Sequence, residues 1–136
     1  MEKAAFKLET YSFVKAALDF NIPKEPSLNV AIVPSGVLSL SEGKYVLTFQ
    51  AIVTCEESHA EVVNVVCEAL FSFDAPVKEE DIPSFFYPNS LAIVFPYVRA
   101  FVSTMTLQAN VRPIVLPTVN LTGLTEELQR NTEVKE

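Results

Sequence analysis

Few residues in this chain could do chemistry. Its 136 residues include one histidine, His59, and two cysteines, Cys55 and Cys67. With Glu56, Glu57 and Glu61 they fall in one short stretch, where imidazole, thiol and carboxylate groups could hold a metal ion or relay a proton. A metal site needs such groups at ligand spacing, and Cys55 with Cys67 makes no CxxC pair. Glu56-Glu57-Ser58-His59 reads instead as a polar hairpin turn with His59 exposed at its tip. If two strands meet at that turn, the cysteines lie several residues out of register. Both are then expected as free, buried thiols of a reducing compartment, the cytoplasm. None of the three glycines sits in a phosphate-cradling loop. No enzyme, metal or cofactor is expected.

What remains is non-covalent chemistry, and one region is built for it. Charged residues make up 20% of the chain and the net charge is −7, yet between Ile82 and Thr125 the only charges are Arg99 and Arg112. So much uncharged surface must be covered by the rest of the domain, by other subunits or by a ligand. It is not expected to enter a membrane. Pro88, Pro96, Pro113 and Pro117 interrupt it, and a span needs about 20 apolar residues in succession. Nucleic acid is excluded as a partner, because ten scattered Lys and Arg residues in an acidic chain cannot neutralise a phosphate backbone. The start, Met1 to Lys7, alternates charged and apolar residues and lacks the apolar core of a secretory leader.

At this length a single domain over residues 1–136 is expected. Apolar residues alternate over about 6–20, but their parity is even at Phe6 and Leu8, odd at Tyr11 and Phe13, and even again at Leu18 and Phe20. A bulged strand fits that pattern. Three further strands are expected at about 28–40, with a break near Pro34 to Gly36, at 44–55 and at 60–73. Tight turns at Glu42-Gly43 and Glu56–His59 join them into an antiparallel meander whose outer surface is only partly polar.

Lys78–Asp81 reads as a solvated link. Leu91, Val94, Phe95, Val98, Phe101 and Met105 then recur at helical spacing, predicting a long helix over about 90–109 capped by Asn89 or Ser90. Pro96 implies a kink or a later start. The segment Asn110–Thr122, with two prolines and several β-branched residues, must cross the domain extended. A short helix capped by Thr122 is expected over 123–131, followed by a frayed end.

Phe95-Pro96-Tyr97-Val98-Arg99, then Val102–Met105, then Arg112-Pro113-Ile114-Val115-Leu116-Pro117-Thr118-Val119-Asn120-Leu121 resemble the SecB family of protein-export chaperones. The order of four strands, long helix, crossover and short helix agrees with it. The sequence departs from the family pattern where Ser90-Leu91-Ala92 follow Pro88-Asn89, and where Arg112 replaces a common aromatic. The resemblance implies an α+β, SecB-like fold and an ATP-independent chaperone, or holdase, that binds unfolded preproteins or other non-native polypeptide during export. It also implies docking of the translocation motor SecA through acidic residues on the sheet, although Val14–Asn21 offers only Asp19.

In that reading Val111, Ile114, Leu116, Val119, Leu121, Leu124 and Leu128 form the wall of a peptide groove, and Phe101, Met105 and Leu107 its floor. The same residues also fit a plain core or subunit interface. On the other side of the long helix, Ala100, Val102, Ser103, Thr104 and Thr106 are small or apolar where a solvent-facing helix would carry Lys and Glu, so they are expected to pack on another subunit. The resemblance implies a homotetramer, a dimer of dimers. Two other functions stay open: a dedicated adaptor guarding one partner, such as an antitoxin or an envelope protein, and a small-ligand-binding domain.

Overall fold

The computed structural model describes residues 5–74 and 76–136, so the expectation about the chain's first four residues lies outside it. Four long strands come first, β1 (Phe6–Leu18), β2 (Leu28–Ser39), β3 (Lys44–Cys55) and β4 (Glu61–Phe73). A 3-10 turn at Glu79–Asp81 leads to a long helix, α1 (Phe86–Gln108), then a short helix, α2 (Leu121–Arg130), and a last strand, β5 (Thr132–Lys135). The fold is α+β, with one mostly antiparallel sheet in the order β1-β4-β3-β2-β5.

That order differs from a four-strand meander in two places. β2, β3 and β4 follow one another as antiparallel hairpins, but β1 pairs with β4, which makes the arrangement a Greek key. The connection 19–27 is too long for a hairpin. It passes beneath the β3–β4 turn, where the Asp19 N–H donates to the Val62 carbonyl and the Glu56 N–H to that of Ser27, both at 2.8 Å. The C-terminal end, expected to fray, instead pairs in parallel with Gly36–Ser39 of β2 as β5.

β1 carries its two bulges where the parity changes. Register shifts fall between Leu8 and Thr10 and between Phe13 and Lys15, so Glu9 and Val14 are the extra residues. The first bulge turns the next aromatic pair toward α1: Tyr11 stacks on Tyr97 with ring centroids 4.3 Å apart, and Phe13 on Phe101 at 3.9 Å. β2 runs unbroken through Pro34 and Gly36, which stand opposite Phe49 and Leu47. The N–H groups of Gly36 and Leu40 point away from β3, toward Asn131 and Lys135. Pro34 has the same parity, so its nitrogen faces the outer edge just before β5 begins and no ladder donor is lost.

The odd residues of β3 and β4, from Tyr45 to Cys55 and from Val63 to Phe71, are buried against α1. Leu91, Val94, Val98 and Val102 of the helix meet them. The two cysteines are free and buried. Cys67 stands opposite Phe49, six residues before Cys55, or about 20 Å along the strand, far beyond disulfide reach. Burial pushes the Cys67 thiol up to about 11, so it stays a protonated packing group.

α1 starts at Phe86, four residues before the expected position, because tertiary packing favours it. Phe86 is fully buried in a cage of Phe6, Tyr45, Phe71 and Phe73, with ring centroids 4.7, 4.8, 5.7 and 5.2 Å away. Pro88 falls in the first turn, where N–H groups have no helical partner anyway. Asn89 and Ser90 therefore lie inside the helix, and the Ser90 hydroxyl donates back to the Tyr87 carbonyl. The helix continues through Pro96, exposed on the outer side with Ala92, whose unpaired carbonyl water can reach.

Candidate functional site: an apolar groove beside the β2 edge

The end of α1 sets where the crossover begins. Asn110 adopts a left-handed conformation, φ 60°, and the Val111 N–H reaches back to the Thr106 carbonyl, a Schellman-type stop. The chain then runs extended along α1 and is clipped to it at one residue. The Ser103 hydroxyl donates to the Ile114 carbonyl at 2.8 Å, and the Ile114 N–H donates to the Thr106 hydroxyl oxygen at 3.0 Å. Thr106 in turn donates to the Val102 carbonyl, with its hydroxyl hydrogen satisfied inside the helix. Two hydroxyls thus do for one crossover residue what a neighbouring strand would do. Ile114 and Leu116 point inward and are buried, whereas Val115 between them is 59% exposed. Asn120 ends the crossover as the cap of α2, its side chain accepting from the Thr122 N–H at 3.1 Å, so α2 begins two residues before the expected Gly123.

Held this way, Pro117, Thr118, Val119 and Asn120 of the crossover and Gly123 and Leu124 of α2 face Val30 and Ile32 of β2 across an open groove of ≈ 360 Å³. No charged side chain lines it. The groove borders a strand edge that is half free. β5 covers β2 only from Gly36 to Ser39, and no described strand pairs with the outer edge from Leu28 to Val33. By parity the N–H and C=O groups of Leu28, Val30 and Ile32 point out along that edge, above the apolar floor.

The groove keeps part of the expected residue set. Val119 and Leu124 line it, whereas Leu121 and Val111 are half-buried and not part of its lining. Ile114, Leu116 and Leu128 are core residues rather than wall. Phe101 is not floor: it stacks on Phe13 at the opposite edge of the sheet, under β1. Met105 is half-buried against the core, and Leu107 points out of α1 with 60% exposure. The missed residues are Val30 and Ile32, readable in the alternation of β2 but assigned there only to a strand, together with Pro117, Thr118, Asn120 and Gly123.

The outer side of α1 forms a second apolar surface. Ile93, Tyr97, Ala100, Thr104 and Leu107, spaced four, three, four and three residues apart, are all exposed. That is one continuous stripe on a helix. Of the five expected interface residues, Ala100 and Thr104 belong to it and Ser103 is half-buried in the crossover clip. Val102 and Thr106 are fully buried inside the chain and cannot reach a partner, because α1 turns that side to the sheet and the crossover. By length and composition Phe86–Gln108 could cross a membrane, but its inner face packs on β3 and β4.

The polar cluster at the β3–β4 turn has a structural occupation. His59 is exposed in a left-handed conformation, φ 61°, that closes the hairpin. Glu57 accepts the Ser27 N–H at 3.0 Å and the Cys55 thiol at 3.3 Å. Among the described residues no group of His, Cys, Asp or Glu could hold a metal ion.

A five-stranded sheet carrying a long helix, a clipped crossover and a short helix on one face is a SecB-like fold. Residues 10–132 match the family described as Preprotein translocase subunit SecB, and the chain belongs to that family, one of chaperones rather than enzymes. In fold it is similar to the Mycobacterium tuberculosis SecB-like chaperone Rv1957, solved in complex with a ChAD peptide from the HigA1 antitoxin. The two are 13% identical with a TM-score of 0.68, over 85% of this chain and 88% of that one. A Streptococcus agalactiae protein of unknown function shares the fold with a TM-score of 0.53 and 14% identity, over 85% of this chain and 98% of that one. In sequence, 48 residues are 50% identical to the uncharacterized protein MJ0357 of Methanocaldococcus jannaschii, a match that spans 35% of this chain and 29% of that protein.

Proposed function

We propose that this chaperone holds non-native polypeptide in the groove beside β2, without nucleotide. The observation that carries the reading is the pairing of an uncharged apolar floor with a free strand edge. The edge binds any backbone through main-chain hydrogen bonds, and the floor gives about 25 cal/mol per Å² of apolar side chain buried without asking for a sequence. A groove open along one side suits an extended chain better than a small ligand, which needs enclosure over most of its surface. Suppression of aggregation of a chemically unfolded client at stoichiometric chaperone tests the proposal. Val119→Asp with Leu124→Asp should abolish it while leaving the assembly's mass unchanged, and full suppression by that variant would remove the groove from the function.

A dedicated client is the second reading, and one observation favours it over general export. The only acid in Val14–Asn21, Asp19, is engaged locally, accepting the Asn21 N–H at 3.0 Å, which leaves little for the motor SecA to grip. The similar M. tuberculosis chaperone was solved with a peptide of a single antitoxin. Pull-down from the native cytosol separates the two, one dominant partner against many precursors. For assembly, the stripe on α1 and the open edge of β1 favour pairing with further copies of the chain into a tetramer of closed symmetry.

A further inference from the structure

The edge of β2 that borders the groove is already half occupied, and the occupant is the chain's own C-terminal end. We propose that β5 is a displaceable stand-in for client: an extended client segment pairs first with Leu28–Val33 and then replaces β5 along Gly36–Ser39. The inference rests on the groove reading above and deepens it, since it names the form of the client and a regulation of the site.

Three features mark β5 as a placeholder rather than a brace. It is four residues long and it pairs in parallel, the less stable ladder per residue. Its side chains bury little, with Glu133, Val134 and Lys135 all exposed. Its attachment is mostly main-chain hydrogen bonding, from Gly36 to Asn131 and from Leu40 to Lys135, which any extended backbone reproduces. A client strand therefore exchanges like for like along the ladder, and it adds apolar side chains where β5 offers only Val134.

One side-chain latch opposes the exchange. The Thr132 hydroxyl donates to the Leu128 carbonyl at 2.7 Å, so at the 2.7 Å contact between Tyr45 and Thr132 the phenol is the donor. Tyr45 reaches that far because it lies across Gly36, where a Cβ would collide with its ring. The side chain of Asn131 adds a bond to the Pro34 carbonyl at 3.2 Å. These contacts hold β5 and the end of α2 together, so releasing them frees the full twelve-residue edge of β2. The client this fits carries apolar residues at every second position. In an added strand those side chains lie over Val30 and Ile32 while the others meet water.

The test uses two fluorescein-labelled peptides of alternating valine and serine with a lysine at each end, one spanning about six residues and one about twelve, the free and the full lengths of the β2 edge. In the full chain the long peptide should speed hydrogen exchange at residues 133–135 while Gly36 and Leu40 stay protected, because their N–H groups change partner without losing one. The short peptide should leave β5 protected. A chain ending at Asn131 should bind the long peptide about tenfold more tightly than the full chain and the short one equally, since the fraction of open edge no longer limits affinity. Tyr45→Phe should give about a fivefold gain from one lost hydrogen bond. Binding of the long peptide with β5 still protected, or with equal affinity for both chains, overturns the proposal and leaves the groove reading intact. Failure of the short peptide to bind the full chain overturns both.

Discussion

The two edges of the sheet are finished in different ways. β1 is fastened to α1 by ring contacts, Phe6 on Phe86, Tyr11 on Tyr97 and Phe13 on Phe101, and among the described residues no strand pairs with its outer edge along all thirteen residues. β2 is fastened through hydrogen bonds to α2 and β5, and only half of its edge is open. Aromatic stacks on a long strand make a rigid, sticky border, and a long open edge with Val14 56% exposed invites permanent pairing. β5 is four residues long and held mainly by hydrogen bonds, and this is the border that the displacement proposed above would exchange. In the reading proposed above, assembly falls to the β1 side and the outer stripe of α1, and reversible binding to the β2 side.

The largest expected effect separates inside from outside on α1. Val102→Glu places a carboxylate in the fully buried core and should cost more than about 4 kcal/mol, enough to leave little folded protein in urea titrations or by circular dichroism. Thr104→Glu, two residues on and exposed, should leave the fold intact and lower the mass seen by light scattering from near four times 15.1 kDa to about half of that, the pair still joined through the β1 edge. A wild-type mass of 15.1 kDa would mean that the stripe is not an interface.

A smaller effect is expected in the crossover. Thr106→Val keeps the shape of the side chain but leaves the buried Ile114 N–H without an acceptor. It should cost about 1–3 kcal/mol in urea unfolding and weaken peptide binding, because Pro117–Asn120 lose their anchor. Wild-type stability together with wild-type affinity would show that the clip does not position the groove.

How far the sequence revealed this depends on which force decided each residue. Period-two alternation marks the strands, and the parity changes between Leu8 and Tyr11 and between Phe13 and Leu18 mark the bulges that the register places at Glu9 and Val14, because a strand cannot change face without an extra residue. The family was legible in the motifs around Phe95–Arg99 and Pro113–Leu121. What escaped was set by distant contacts. The partner of β1 depended on a connection passing under the β3–β4 turn, and the start of α1 on an aromatic cage from three strands. β5 reads as an exposed polar tail until β2 lies beside it. Val102 and Thr106 were assigned to the outside because small residues suit an interface, yet smallness there lets the crossover approach the helix. Val30 and Ile32 show only strand alternation, and nothing local tells that α2 stops short of covering them.

The smallest expected effect lies where the two edges are joined. The connection 19–27 leaves β1 and enters β2, and Glu57 holds its end by accepting the Ser27 N–H at 3.0 and 3.3 Å. Those bonds favour the charged carboxylate. The Ser27 N–H first, and then backbone and Cys55 donors at the turn, hold Glu57 below the ordinary carboxylate value of 4.5. A group depressed in the folded state stabilises it at pH above its unfolded value, and that contribution fades as pH falls below about 4.5 through the native value. Glu57→Gln retains one acceptor but no charge. Its urea midpoint should lie slightly below wild type at pH 7 and converge with it as pH falls below 4.5. Because Glu57 is exposed, the gap should also shrink in high salt. Midpoints that stay equal at every pH would mean that the turn holds the connection through the Glu56 N–H to Ser27 carbonyl bond alone, and that the Glu57 charge does not help join the assembly edge to the binding edge.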